Sequence, residues 1–149
     1  MKLIVPASTE EDIKKCLEIR RAVFVGEQKV SESIEVDELD VPGSGCMHFL
    51  VYDDEKYVGT FRLTINQNQI AKLQRFCVLA DYRGQGYGSY AMEFVEGLCE
   101  GEKVKKIVFD AQCTAVHFYE RLGYKVFSDE FMEAGIKHVK MLKRLNIEE

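Results

Sequence analysis

The residues best able to do chemistry lie together in Phe76-Cys77-Val78-Leu79-Ala80-Asp81-Tyr82-Arg83-Gly84-Gln85-Gly86-Tyr87-Gly88-Ser89. A strand-like apolar run feeds a turn with three glycines in five residues, and a helix-like pattern follows. Glycine reaches positive φ and lets a ligand approach backbone N–H groups without a Cβ in the way. The open N–H groups of a helix start, with the positive end of its dipole, attract an anion. Arg83 at the mouth of the turn adds a guanidinium suited to phosphate. The coincidence of strand, glycines, cation and helix start predicts an anion site over Gly84–Ser89. The alternative is a glycine-rich connection that binds nothing.

Other phosphate-binding patterns fit less well. GxxxxGK[ST] is absent, and a GxGxxG beginning at Gly84 meets Ser89 where glycine or alanine is expected. That dinucleotide fingerprint also opens the first βα unit of a parallel sheet, whereas this turn sits mid-chain after an apparent hairpin. NAD is therefore disfavoured. The five cysteines (Cys16, Cys46, Cys77, Cys99, Cys113) include no CxxC, and the three histidines (His48, His117, His138) no HxxxH. No zinc or disulfide framework is expected, and no metal site.

The elements that must position the turn form a mixed pattern. Lys2–Val5 reads as a strand, and Ser8 or Thr9 as the N-cap of a helix running to about Val25. His48–Asp53 and Lys56–Ile65 read as a hairpin, and Ile70–Leu79 as a further strand. A helix is expected from Tyr87 to Cys99, strands at Val104–Asp110, Lys125–Phe127 and His138–Leu145, and a short helix at Thr114–Leu122. The order β-α-β-β-β-α-β-α-β makes an α+β fold around one largely antiparallel mixed sheet. With 149 residues and ordinary apolar content, residues 1–149 are expected to form a single domain.

At −5 the net charge disfavours a nucleic-acid backbone as partner. Eight carboxylates and no Lys or Arg fall between Val30 and Glu55, with Glu32, Glu35, Asp37, Glu38 and Asp40 close together. They form either a solvated loop or an acidic rim that steers a cationic substrate. Apolar runs are too short for a membrane helix and the N-terminus lacks a signal-peptide core, so the expected location is cytoplasmic.

Arg83-x-x-Gly86-x-Gly88 resembles the Q/R-x-x-G-x-G/A signature of GCN5-related N-acetyltransferases (GNAT). About thirty residues on, Gln112-x-x-Ala115-x-x-Phe118-Tyr119-x-x-x-Gly123-Tyr124 is similar to a second block of that family. The resemblance spans roughly residues 2 to 145. Arg20–Gln28 and Phe131–His138 resemble the small bacterial ElaA-like branch. The resemblance implies a GNAT-like sheet and an acetyl-CoA-dependent N-acetyltransferase that moves acetyl to a primary amine by direct attack in a ternary complex.

It also implies roles. Gly84, Gln85, Gly86, Tyr87, Gly88 and Ser89 would cradle the CoA pyrophosphate, with Arg83 beside them. Phe76, Cys77 and Val78 would pair with the pantetheine arm, and the N–H of Val78 would polarise the thioester carbonyl. Gln112 would touch the arm. Tyr119 is the expected acid for the leaving thiolate, against the alternative that it only packs. Candidates for the base are Glu27 and His138, either of which is as readily structural; Glu35, Asp37 and Asp40 are weaker ones. An acyl-enzyme on Cys77 or Cys113 lacks a neighbouring base. The acceptor is left open between a cationic small molecule and an amino sugar. An amino-sugar phosphate would call on Arg20, Arg21 and Arg62. Relatives are often dimers, so a homodimer is an expectation, although no coiled-coil seam decides it. The competing reading is a non-catalytic module that binds or senses CoA.

Overall fold

The computed structural model describes residues 1–145 (backbone only at Ile34), so the last four residues of the expected 1–149 domain lie outside it. β1 (Lys2–Pro6) leads into α1 (Glu10–Arg20), capped by the Thr9 hydroxyl, which accepts from the Asp12 N–H at 3.1 Å. Glu10, Glu11 and Asp12 then meet the positive end of the helix. The helix does not continue to Val25 as its apolar spacing predicts. From Arg21 to Glu27 the chain widens into a π-helical segment, in which Gln28 N–H donates to Val23 O at 2.9 Å. Over seven residues apolar spacing hardly separates the two kinds of turn. Such segments recur at functional sites.

α2 (Glu32–Glu35) is a single turn. β2 (Met47–Asp53), β3 (Lys56–Ile65) and β4 (Ile70–Val78) form an antiparallel meander, followed by α3 (Tyr87–Gly101). β5 (Lys106–Gln112), α4 (Val116–Arg121), β6 (Lys125–Val126), β7 (Phe131–Glu133) and β8 (Ile136–Arg144) complete the chain. The sheet order is β1-β2-β3-β4-β5-β8-β6, with β7 on β8, and every pairing is antiparallel except β4–β5. This is the expected α+β arrangement. β7 is the strand that the sequence reading missed. It turns back onto β8 through Ala134 and Gly135, at φ 53° and 78°.

Two apolar layers cover the sheet. Phe49, Phe61, Leu73, Ile107, Phe109 and Met141 pack under α3 and α4, whereas Cys16, Ile19, Val23, Leu50 and Cys77 pack under α1 and the π-segment. β4 changes allegiance part-way. Register runs Arg62↔Gln74 and then Thr60↔Cys77, which leaves one extra residue in β4, and Arg75 there takes φ 56°. This β-bulge flips the alternation. Ala71 and Leu73 face the α3 side before it, whereas Phe76 and Val78 face that side after it. Cys77 consequently turns toward α1.

The acidic run is divided: Glu32 and Glu38 are exposed, whereas Glu35, Asp37 and Asp40 are held by arginines. Glu35 and Asp40 are buried against Arg20, itself 1% exposed. Arg20 Nε donates to Glu35 Oε2 at 2.6 Å, and its Nη atoms reach Asp40 at 2.7 and 2.9 Å. Arg62 binds Asp37 twice at 2.8 Å and Asp40 at 2.9 Å. Arginine's planar fork suits paired carboxylates. Arg20 and Arg62 are thereby withdrawn from any substrate phosphate, and Arg21 pairs at the surface with Glu32. Glu35, Asp37 and Asp40 are thereby taken out of any steering rim.

Candidate functional site

The site originates in the parallel pair. β4 and β5 are in register only from Ile70↔Lys106 to Lys72↔Val108. Beyond those three rungs β4 follows β3 and β5 follows β8, so their carboxyl ends separate. The gap is a cleft of about 520 Å³, lined by β4 from Lys72 to Val78, β5 from Phe109 to Gln112, the π-segment, α4 and the β7–β8 turn. Ligands in sheets with parallel strands favour such carboxyl ends.

Arg83 lines the cleft and leads into the glycine turn, whose residues Gly84–Ser89 lie beside the cleft and outside its lining. Gly84 and Gly86 take φ 74° and 89°, and Gly86 is the N-cap residue of α3. A Cβ on Gly84 would meet nothing within 4 Å, so the turn presents open backbone, and the first N–H groups of α3 have no intrahelical acceptor. Gly88 is needed for a different reason. A Cβ there would come within 3.1 Å of the Phe118 ring, so the turn packs directly on α4. Lys2, from β1, lies over the Tyr87 ring at 4.7 Å and within 3.9 Å of where a Gly86 Cβ would be. It is the basic group at the turn that sequence reasoning missed; eighty-odd residues of separation gave no signal.

Arg83 does not stand open at the mouth. Its two Nη atoms donate to Glu27 at 2.6 and 2.8 Å, and its Nε to Val78 O at 2.9 Å. The pair ties the end of β4 to the π-segment. The Arg83 guanidinium holds the Glu27 carboxyl below its ordinary value, the direction opposite to what a base needs near neutrality.

Tyr119 lines the cleft from α4, 8% exposed, with Phe109, Phe118 and Tyr124 at ring distances of 4.5, 5.0 and 6.2 Å. Burial pushes its phenol up. Tyr124 is core, donating to Glu96 at 2.9 Å. Phe76, Cys77, Val78 and Gln112 also line the cleft. Gln112 Nε2 donates to Gln28 Oε1 at 2.9 Å, so Gln28 joins the site from the π-segment. Burial pushes the Cys77 thiol well up, which removes the thiolate that an acyl-enzyme needs.

Across the sheet, Asp110 and Gln112 alternate with Phe109 and Ala111, which belong to the α3–α4 core. His138 is in register with Gln112, buried, and stacked on Phe131 at 5.9 Å. Its Nδ1–H donates to Ile136 O at 2.7 Å. His48 is tied to Leu39 O at 2.8 Å, and His117 sits exposed beside Glu120. Among the described residues no group of three His, Cys, Asp or Glu side chains could hold a metal, and no helix is long and apolar enough to cross a membrane.

A family model described as "Acetyltransferase (GNAT) domain" matches residues 4–145. The chain belongs to the GNAT acetyltransferase family. Among its GNAT relatives, YjcF of Bacillus subtilis, an uncharacterized N-acetyltransferase, is 38% identical, covering 96% of this chain and 99% of its own. YyaT of the same organism is 41% identical over 93% of each chain. In fold, this GNAT protein resembles Escherichia coli ElaA, with a TM-score of 0.82 at 22% identity over 97% and 99% of the two chains. The GNAT sheet expected from the sequence is the sheet observed.

Proposed function

We propose that this protein is an acetyl-CoA-dependent N-acetyltransferase acting on a primary amine by direct attack on the thioester. The observation that carries the reading is the parting of β4 and β5 beside an open glycine turn. A phosphate group meets backbone N–H donors there, and an extended arm finds a strand edge to pair with. The residues fit that ligand: Gly84 leaves the turn clear, Gly88 lets it sit against Phe118, and Lys2 supplies a cation nearby.

Bound there, acetyl-CoA supplies an activated acetyl thioester. Gly84–Ser89 hold the pyrophosphate, and Phe76–Val78 align the arm along β4. The N–H of Val78 polarises the carbonyl, and a donor so placed is commonly worth about 3–4 kcal/mol. Tyr119 gives its proton to the departing sulfur. Arg83 and Glu27 act on position, since their bidentate pair fixes the end of β4 against the π-segment. Gln28 and Gln112 border the entry on the other face.

The first test is thermal. At about a hundred times its Kd, acetyl-CoA adds about 2.7 kcal/mol to the native state, which raises the midpoint by roughly 5–10 °C for a chain of this size. NAD and ATP are expected to give no shift. Gly86→Val, which forces a β-branched residue to a positive φ at the turn, is expected to abolish most of the shift. Equal shifts with all three ligands, or none with acetyl-CoA, refute the reading. A shift without turnover on a broad amine panel favours the sensing module instead.

A further inference from the structure

The face of the cleft opposite Tyr119 carries two carboxyl groups with no part in the mechanism above. Asp110 stands two residues beyond the last rung that joins β4 to β5, where the gap opens. Glu133 ends β7 at the Ala134–Gly135 turn, and both side chains line the cleft. The two carboxyls bear on each other, Asp110 held down and Glu133 pushed up. The charged and titratable groups around them are Lys140 on β8, 3.2 Å from Asp110, His138 on β8, and Lys72 and Arg75 on β4. Burial first, then the bond to Asp110 and its charge, raise the Glu133 carboxyl above its usual value.

A third carboxyl borders the cleft from α2. Glu35 is 3% exposed; its Oε2 takes the Arg20 bond, and its Oε1 has no hydrogen-bond partner among the described residues.

We infer that the Asp110–Glu133 pair receives the ammonium of the acceptor and takes its proton, with Glu133 as the catalytic base and Asp110 as its positioning partner. This rests on the acetyltransferase reading. An alkylammonium loses its proton near pH 10.4, so near neutrality it arrives charged and cannot attack. Ionised Glu133 takes one proton from R–NH3+, and the amine lone pair attacks the thioester carbon. The C–N bond forms, the C–S bond breaks, and the sulfur takes the Tyr119 proton. The second nitrogen proton returns to the phenolate through solvent, and Glu133 releases its proton to solvent. The pair and Tyr119 lie on opposite faces of the sheet, so the amine and the leaving sulfur occupy opposite sides of the reacting carbon.

The experiment uses the full chain with acetyl-CoA and four probes: spermidine, 1,4-diaminobutane, L-lysine and glucosamine. For the best of them, kcat/KM in the wild type should rise with pH through the raised Glu133 ionisation. Glu133→Gln should lose about 100-fold and lack that limb. Asp110→Asn removes the neighbouring charge and bond, so the limb should move to lower pH. Both variants should keep the acetyl-CoA thermal shift. An unchanged rate and limb in Glu133→Gln, or equal losses in both variants with the wild-type profile, overturn the inference. No acetyl-CoA shift in the wild type sinks the parent reading, and this one with it. If acetyl-CoA binds but no probe turns over, carboxyl-13C NMR of labelled glutamate decides. A Glu133 signal titrating at the ordinary position, unmoved by Asp110→Asn, overturns the proposal; a raised one that falls in the variant upholds it.

Discussion

Arg20→Leu is expected to lose about 3–5 kcal/mol of folding stability, read as a lower urea midpoint by circular dichroism. The cause is the pair of partners left behind. Glu35 and Asp40 are both buried, and Arg20 meets the first through Nε at 2.6 Å and the second through two bonds. Removing the guanidinium leaves carboxylates in a medium that solvates charge poorly. Asp40 retains Arg62 at 2.9 Å, whereas Glu35 keeps the longer contact with Arg75 at 3.4 Å, so Glu35 suffers most. The double variant Arg20→Leu/Glu35→Leu should therefore recover part of the loss, because an absent buried pair costs less than a broken one. A double variant less stable than the single one would sink the account. The network also sets an acid limit. Burial opposes ionisation of Asp40, but the bonds from Arg20 and from the Asp37 N–H, with the charges of Arg20 and Arg62, hold its carboxyl down at about 2. The native state thus prefers the ionised form more than the unfolded chain does. That contribution is complete above about pH 4 and is lost as pH falls toward 2.

Tyr119→Phe is expected to lower kcat about 100-fold while the acetyl-CoA thermal shift stays unchanged. The substitution removes one hydroxyl and keeps a ring packed by Phe109, Phe118 and Tyr124, so the apo midpoint should move little. A free thiol has a pKa of about 8.5 and a phenol one of about 10, so full transfer to a free thiolate would run uphill. Burial raises the phenol further, and also raises the basicity of a sulfur expelled into the same enclosed space. In the proposed reaction, proton transfer therefore accompanies C–S cleavage. The raised ionisation also keeps Tyr119 protonated across the neutral range, so the acidic limb of the rate profile belongs to another group. Unchanged kcat in Tyr119→Phe would return the residue to a packing role.

The order of elements could be read from the chain because its signals are local: apolar alternation, a threonine cap and tight turns. The glycine turn was legible for the same reason, since Gly84 and Gly86 need their positive φ whatever surrounds them. Pairings between distant residues were not. Nothing in the spacing of Glu35, Asp37 and Asp40 reveals that Arg20 and Arg62 will be folded onto them, so three carboxylates of a run that looked solvated are paired, two of them buried. Arg83 reads as a phosphate ligand until Glu27, far away in sequence, takes both its Nη atoms. Likewise β7 is three residues long, too short for any alternation to show.

The one-residue bulge at Arg75 divides the inheritance of β4 between two surfaces. Lys72 and Gln74 point to one face of the sheet, Phe76 and Val78 to the other, along a single continuous strand. Substitutions before the bulge and after it therefore act on separate binding problems and can accumulate independently. A lineage can rewrite the first half of this strand and leave the second half as it was. Deleting Arg75 would couple the two, because every residue on one flank would then exchange sides at once.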